Sequence, residues 1–166
     1  MAFEEILTNS AEETTQFGRA IAARLATPAL VLLKGDLGSG KTTLSKGIVS
    51  GLGVAREEDV TSPTFTLVHS YKKQGPQALK VFHVDLYRLE GTHDLESIAL
   101  EDLLAEPAVV IIEWSERLTL RSDWPIVRIE LEHQGGDCRR LRVTGLNELI
   151  APANASGFPI PSKKAT

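Results

Sequence analysis

The sequence lacks several features that would assign a protein to a class at once. It contains a single cysteine, Cys138, so no disulfide can form within the chain, which weakly favours a reducing compartment. The longest apolar runs, Ala29–Leu33 and Ala108–Ile112, are far shorter than the roughly 20 residues that cross a bilayer. The first residues also lack the basic segment and apolar stretch of a signal peptide. We therefore expect a cytoplasmic protein that has no contact with a membrane.

An excess of basic residues is absent as well. The chain has 18 lysines and arginines against 22 acidic residues, and two of the lysines, Lys163 and Lys164, lie in an acid-free end segment. Neutralisation of phosphates drives nucleic-acid binding, so residues 1–150 are a poor RNA binder on their own. The end segment, residues 151–166, is rich in Pro, Ala, Ser and Lys and is predicted to be a disordered tail behind one domain, residues 1–150.

A phosphate-binding loop is the clearest motif in the sequence. Residues Gly35–Thr42 read GDLGSGKT and match G-x-x-x-x-G-K-[ST] in full. The glycines, Gly35, Gly38 and Gly40, let the backbone turn its N–H groups towards a β-phosphate. Lys41 supplies a positive charge to the phosphate oxygens, and the Thr42 hydroxyl is a ligand for Mg²⁺. The motif predicts that the chain binds a nucleoside triphosphate with Mg²⁺.

Strand and helix patterns alternate along the chain and indicate an α/β fold. Ser10 and Glu13 form a capping box at the start of a helix that continues to about Leu25. The predicted strands are 3–8, 29–34, 65–71, 80–86, 108–112, 126–131 and 139–143, and further helices are predicted over 41–52 and 94–105. This order predicts a three-layer, P-loop NTPase-like domain with a mainly parallel sheet and an antiparallel ribbon near the C-terminus.

Two acidic residues stand at the ends of predicted strands, where parallel sheets bind ligands. Glu113 follows the apolar run Val109–Ile112 and is placed to hold Mg²⁺ directly or through water, unless it is an ordinary acid in solvent. Asp85 shares one face of its strand with His83 and Tyr87, which suits contact with a γ-phosphate, a metal or an attacking water. A structural salt bridge between Asp85 and Arg88 is the alternative.

Two further features allow more than one interpretation. The segment Thr61–Phe65, TSPTF, lies where P-loop proteins often have a switch that senses the γ-phosphate, but its hydroxyls and proline also suit a plain turn. Trp114 belongs either to the core or to the wall of the site.

Four segments together resemble the TsaE (YjeE) family of small bacterial P-loop ATPases. They are GDLGSGKTT at Gly35–Thr43, TSPTF at Thr61–Phe65, HVDLYRL at His83–Leu89 and IEW at Ile112–Trp114. The resemblance implies a protein needed for the threonylcarbamoyladenosine (t6A) modification of tRNA at position 37. It implies action with the transferase TsaD and its paralogue TsaB, in which ATP hydrolysis resets the complex. Contact with tRNA is expected at most through that complex.

The resemblance also implies roles for individual residues, with ATP and Mg²⁺ as ligands. Catalysis would fall to Lys41, Asp85 and Glu113, and the metal would be held by Thr42 and Glu113. Ala11 would border the adenine, and Thr61–Phe65 would be a mobile loop. The residues implied at the nucleotide are Ala11, Gly35, Gly38, Ser39, Gly40, Lys41, Thr42, Thr43, Thr61, Thr64 and Trp114.

Three other functions remain open at this stage. A GTPase is disfavoured because no Asn precedes a Lys and no Asp has a Gly three positions later. A small-molecule kinase would need a lid that brings arginine to the phosphates, for which Arg117 and Arg121 are candidates. A nucleotide-dependent interaction switch with little turnover would use the same P-loop to order the Thr61–Phe65 segment.

Overall fold

A computed structural model describes residues 3–90 and 99–146. Within these residues the strands are β1 Phe3–Thr8, β2 Ala29–Lys34, β3 Val68–Lys73, β4 Leu79–Asp85, β5 Val109–Glu113, β6 Ile126–His133 and β7 Arg139–Thr144. The helices are α1 Ala11–Ala22, α2 Lys41–Gly51 and the single turn α3 Leu100–Leu103, with 3₁₀ turns at Glu57–Asp59 and Ser115–Arg117.

The strands form one mixed sheet in the order β1-β7-β6-β2-β5-β4-β3. The four central strands, β6, β2, β5 and β4, are parallel, whereas β3, β7 and β1 join their neighbours antiparallel. The predicted parallel sheet and the predicted antiparallel ribbon, formed by β6 and β7, are both confirmed. Because β2 and β5 are apolar and buried along almost their whole length, both faces of the sheet are covered, as parallel sheets require.

Alternate residues of β2 point into two separate cores. Val31 and Leu33 belong to the core under α1 and α2, whereas Leu30 and Leu32 belong to the core on the opposite face, which α3 and Trp124 help to cover. The resulting helix–sheet–helix layering confirms the predicted three-layer architecture.

Helix α1 begins as the sequence predicts. The Ser10 hydroxyl accepts the Glu13 backbone N–H at 3.0 Å. The Glu13 carboxylate reaches back and accepts the Asn9 N–H at 2.6 Å. The helix ends at Ala22 and not near Leu25, because the next N–H groups turn back into tighter i→i−3 hydrogen bonds.

Two glycines bring α1 and α2 into backbone contact. A Cβ added at Gly18 would lie 2.5 Å from the Leu44 carbonyl oxygen, and one added at Gly47 would lie 2.1 Å from the Thr15 carbonyl oxygen. Only glycine fits at these positions. The contact fixes the start of α1 beside the start of α2, where the phosphate-binding loop ends.

The predicted strand over 65–71 is wrong in its first half. The structure places a turn at 64–66, and β3 begins only at Val68. Leu67 adopts a positive φ of 67°, and Phe65 is 78% exposed, so these two apolar residues do not belong to the strand's alternation. Residues 94–98 of the predicted 94–105 helix, and the predicted tail with its boundary at residue 150, lie outside the described residues, and within 99–105 the helix covers only Leu100–Leu103.

None of the helices in residues 3–90 and 99–146 has the length and hydrophobicity needed to cross a membrane.

Candidate nucleotide-binding site

The loop between β2 and α2 has the backbone geometry of an anion site. Gly38 and Gly40 have φ values of 78° and 103°, in the left-handed region that side chains disfavour. A Cβ at Gly35 would lie 2.5 Å from both the Leu131 carbonyl oxygen and the Ser39 hydroxyl. No side chain caps the first turn of α2, so its N–H groups and the positive end of the helix face the loop.

Lys41 lies across this loop in the first turn of α2. Its Nζ donates to the carbonyl oxygens of Gly35 at 2.5 Å and Asp36 at 2.8 Å, and it lies 4.1 Å from the centre of the Trp114 ring. Burial lowers the pKa of Lys41, although the acids around it, Glu113 foremost, work in the opposite direction. A phosphate placed here would favour the charged form of the lysine.

Glu113 is buried at the end of β5 and divides its two carboxylate oxygens between two sets of donors. Oε2 lies 3.2 Å from the Thr42 hydroxyl. Oε1 lies 3.2 Å from the Ser45 hydroxyl and 2.7 Å from His83 Nε2. Thr42 and Glu113 therefore present adjacent hard oxygens, the ligand type that Mg²⁺ prefers.

These two oxygens suit a metal ion whose coordination shell is completed by the nucleotide and water. The described residues contain no group of three or more His, Cys, Asp or Glu side chains that could hold a metal ion by themselves. Mg²⁺ commonly takes one or two protein ligands and completes its octahedron with phosphate oxygens and water.

Asp85 lies beside Glu113 in the parallel register of β4 and β5. Its Oδ2 accepts the hydroxyls of Ser62 and Thr64, each at 2.8 Å, and its Oδ1 accepts the Tyr87 N–H at 2.9 Å. The TSPTF segment is thus hydrogen-bonded directly to the acid that the sequence assigns to hydrolysis.

The structure shows the surroundings of the arginines named in two alternatives from the sequence. The Arg88 guanidinium lies 3.9 Å from the centre of the Phe65 ring, and no ion pair joins it to Asp85 in the described part of the chain. Arg117 donates to the backbone carbonyls of Tyr87 and Leu89, and its guanidinium lies 5.2 Å from the centre of the Trp114 ring. Arg121 lines a separate pocket.

Trp114 is both a wall of the site and an edge of the core. It follows Glu113 in a left-handed conformation, with φ 58°, which turns its ring back over Lys41. The Tyr87 ring lies 5.1 Å from it, centre to centre, and the indole packs against the second core.

These groups surround one open cleft of ≈ 400 Å³. The residues that line it are Leu37, Gly38, Gly40, Lys41, Thr42, Thr43, Ser62, Thr64, Asp85, Tyr87, Glu113, Trp114 and Arg139.

The remaining nucleotide-site candidates from the sequence lie around this cleft but do not line it. Gly35 and Ser39 support the loop from behind, and Ala11 lines a small adjoining recess of ≈ 30 Å³. Thr61 is exposed and does not line the cleft, whereas its neighbour Ser62 does.

Sequence reasoning missed several lining residues. Ser62 lies inside the TSPTF motif and Tyr87 shares the face of Asp85, so both had a local signal. Arg139 had none, because β7 reaches the loop only through the pairing of β6 with β2. Arg139 also lines the recess beside Ala11, together with Asp137 from the β6–β7 turn.

Similarity to known proteins identifies the family of this chain. The family profile described as "Threonylcarbamoyl adenosine biosynthesis protein TsaE" matches residues 8–141, most of the chain. The chain belongs to the TsaE family. The resemblance read from the four sequence segments is thereby confirmed, and with it a family role in tRNA threonylcarbamoyladenosine biosynthesis.

Individual TsaE proteins match over most of their length. The tRNA threonylcarbamoyladenosine biosynthesis protein TsaE of Streptomyces coelicolor is 38% identical over 148 residues, which cover 85% of this chain and 96% of the relative. The TsaE protein of Nostoc sp. is 34% identical over 143 residues, covering 84% and 85%. The crystal structure of Bacillus subtilis YdiB superposes with a TM-score of 0.64 at 29% identity and covers 90% of each chain.

Proposed function

We propose that the chain binds Mg²⁺–ATP in the cleft and hydrolyses it to ADP and phosphate, as an accessory protein for t6A modification of tRNA at position 37. TsaD and TsaB are its proposed partners. The observation that carries the ATPase proposal is the convergence of Lys41, Thr42, Asp85 and Glu113 on one cleft at the carboxyl ends of β2, β4 and β5.

Binding rests on the loop and on the first turn of α2. Backbone N–H groups of the loop, together with the Lys41 ammonium, would hold the β- and γ-phosphates. Thr42 and Glu113 would hold Mg²⁺, which neutralises charge that develops on the phosphate oxygens. Ala11, Thr43 and Arg139 lie along the recess on the far side of Gly40 and are proposed to border the adenosine.

Hydrolysis needs a group that orients water in line with the γ-phosphate, and Asp85 is the proposed group. In the structure the Asp85 carboxylate accepts three hydrogen bonds. The hydroxyls of Ser62 and Thr64 donate two of these bonds, and the Tyr87 N–H donates the third. Oδ1 accepts only the Tyr87 N–H and keeps acceptor capacity for water, whereas Oδ2 is held by both hydroxyls of the TSPTF segment. The TSPTF segment and the hydrolytic acid would therefore respond to the γ-phosphate together.

A protein partner is supported by apolar side chains around the cleft. Leu37 and Phe65 are 73% and 78% exposed, and Tyr87 is partly exposed. Leu37 and Tyr87 line the cleft, and Phe65 follows the lining residue Thr64. A partner that covers these side chains would contact the nucleotide loop and the TSPTF segment at once, which is the contact that a nucleotide-dependent complex requires.

The second candidate function is an interaction switch with little turnover. It is favoured by the hydrogen bonds of Asp85 with Ser62, Thr64 and Tyr87, because they hold this acid against the TSPTF segment and the adjoining backbone. Phosphate release measured with and without TsaD and TsaB separates the two: an ATPase turns over in the presence of the partners, and a pure switch does not.

Glu113→Ala and Asp85→Ala test the assignment of hydrolysis. Both variants should retain measurable ATP binding and lose most phosphate release, since both acids act on the metal or the water. Glu116→Ala is the matched control, because Glu116 is an exposed acid near Lys41 that does not line the cleft. Phosphate release at the parental rate by Asp85→Ala would show that Asp85 is structural.

The cellular role is tested in a strain depleted of its own TsaE protein. We expect this gene to restore threonylcarbamoyladenosine, measured by mass spectrometry of hydrolysed tRNA, and Lys41→Ala to fail. A folded, ATP-binding parent protein that does not restore the modification would leave an ATPase of another purpose.

A further inference from the structure

His83 makes a hydrogen bond to Glu113 that the proposed catalytic steps do not use. Its ring is completely buried, and its Nε2 lies 2.7 Å from Glu113 Oε1. In the register of β4 and β5, His83 lies opposite Ile111, and Asp85 lies opposite Glu113. The Glu113 side chain therefore reaches diagonally back towards His83 although another acid is its direct neighbour across the sheet.

Two donors point at Oε1, and only one of them is committed to it. The Ser45 hydroxyl has a single proton and lies closer to the Lys41 carbonyl oxygen, at 2.9 Å, than to Glu113 Oε1, at 3.2 Å. His83 Nε2 has the shorter contact with Glu113. The histidine is thus the principal donor that fixes this end of the carboxylate.

The other ring nitrogen supports this assignment. His83 Nδ1 is buried without a hydrogen-bond partner among the described residues. A proton on Nδ1 would be a buried donor without an acceptor, which costs free energy. An unprotonated Nδ1 buries only an unpaired acceptor, which costs less. In the neutral ring the proton therefore belongs on Nε2, where it is donated to Glu113.

We propose that His83 is the positioning residue of the metal site: by binding Oε1 it holds the Glu113 carboxylate so that Oε2 faces Thr42. This inference rests on the proposed Mg²⁺–ATP function and deepens it. If the carboxylate rotated towards Asp85 or into the cleft, Oε2 would move away from the Thr42 hydroxyl, and the two metal ligands would no longer be adjacent. Partners that orient a metal ligand in this way typically change metal affinity by about 10- to 100-fold.

The test measures metal binding directly, with Mn²⁺ as a paramagnetic stand-in for Mg²⁺ and a non-hydrolysable β,γ-imido analogue of ATP. Electron paramagnetic resonance reports free Mn²⁺, and calorimetry in the presence of EDTA reports analogue affinity without metal. We expect His83→Leu to bind Mn²⁺ at least about tenfold more weakly, as for other ligand-orienting residues. Its metal-free affinity for the analogue should equal that of the parent, because His83 does not line the cleft.

Two amide variants separate positioning from simple packing. The Gln amide nitrogen reaches about as far as Nε2 of histidine, and the Asn amide nitrogen only as far as Nδ1. His83→Gln should recover most of the Mn²⁺ affinity, and His83→Asn should not. His69→Leu is the matched control, since His69 lies opposite His83 on β3 with its ring against Tyr71.

Parental Mn²⁺ affinity in His83→Leu would overturn the proposal, as would equal affinities in His83→Gln and His83→Asn. The amide pair keeps the test decisive should His83→Leu fail to fold. A parent protein that binds neither the analogue nor Mn²⁺ would instead overturn the proposed function itself.

Discussion

At the scale of single residues, the site is organised by buried charges that have been given polar partners. Lys41, Asp85 and Glu113 are each at most 5% exposed, yet each is hydrogen-bonded to the loop, the TSPTF segment or a helix. Burying a charge is costly without such partners. The arrangement keeps the three side chains ready for a ligand that carries both phosphate and metal.

Lys41→Ala should lose most of its affinity for ATP and keep its fold. One charge-assisted hydrogen bond contributes about 1.5–3 kcal/mol, which corresponds to roughly 10- to 150-fold in affinity. Burial lowers the pKa of Lys41 in the folded chain, so the unfolded chain binds its proton more tightly. Lys41 lines the cleft and belongs to neither core, so Lys41→Ala should still unfold cooperatively.

Titration calorimetry with Mg²⁺–ATP and thermal unfolding without nucleotide measure the two parts of this prediction. A folded Lys41→Ala variant with parental ATP affinity would remove the basis for the phosphate-binding loop.

Trp114 should report nucleotide binding through its fluorescence. Its ring lies over the Lys41 ammonium and lines the cleft, so a phosphate that draws Lys41 away changes its surroundings. Trp124, the other tryptophan of the chain, also packs against the second core but does not line the cleft, so it serves as the internal control. We expect Trp114→Phe to abolish most of the signal on addition of Mg²⁺–ATP, and Trp124→Phe to preserve it.

At the scale of elements, the sequence predicted what local patterns determine and missed what distant pairing determines. Short segments of the sequence were enough to predict the strand before the phosphate loop, the helix α2 after it and the acids at the strand ends. The start of β3 was missed because Leu67 takes a left-handed conformation that no periodicity shows. Arg139 was missed because its place at the cleft depends on the register of β6 with β2, a contact about 100 residues apart in the chain.

The contact between α1 and α2 makes Gly47→Ala a test of element packing. The added Cβ would lie 2.1 Å from the Thr15 carbonyl oxygen, so the helices must separate. Overpacking of this kind costs about 1–3 kcal/mol, and the gain in helix propensity of about 1 kcal/mol offsets only part of it. Urea denaturation should show a net loss of stability. Lys46→Ala in the same helix should show none.

At the scale of the whole molecule, the residues of the proposed chemistry lie at one end of the sheet, where the parallel strands finish. The carboxyl ends of β2, β4 and β5 deliver the loop, Asp85 and Glu113 to the same cleft, and the antiparallel β6–β7 ribbon closes its far side with Arg139. A ligand in the cleft therefore touches segments from most of the domain and should stabilise all of it.

Mg²⁺–ATP at about 100 times its dissociation constant adds roughly 2.7 kcal/mol to the stability of a protein with one site. For a domain of this size we expect a rise of about 5–10 °C in the unfolding midpoint, measured by scanning calorimetry with the non-hydrolysable analogue. Because Lys41→Ala should lose roughly tenfold or more in affinity, we expect it to show at most about half of this rise under the same conditions. A rise of equal size in Lys41→Ala would place the nucleotide elsewhere on the molecule.

The glycine contact between α1 and α2 also sets how long a ligand the site accepts. One helix begins at the recess proposed for the adenosine and the other begins at the phosphate loop, so Gly18 and Gly47 fix the spacing between the two subsites. A side chain at Gly47 would change that spacing without altering any group that touches the ligand. ATP, which spans both subsites, should then lose affinity, whereas inorganic tripolyphosphate, which occupies only one, should bind as before.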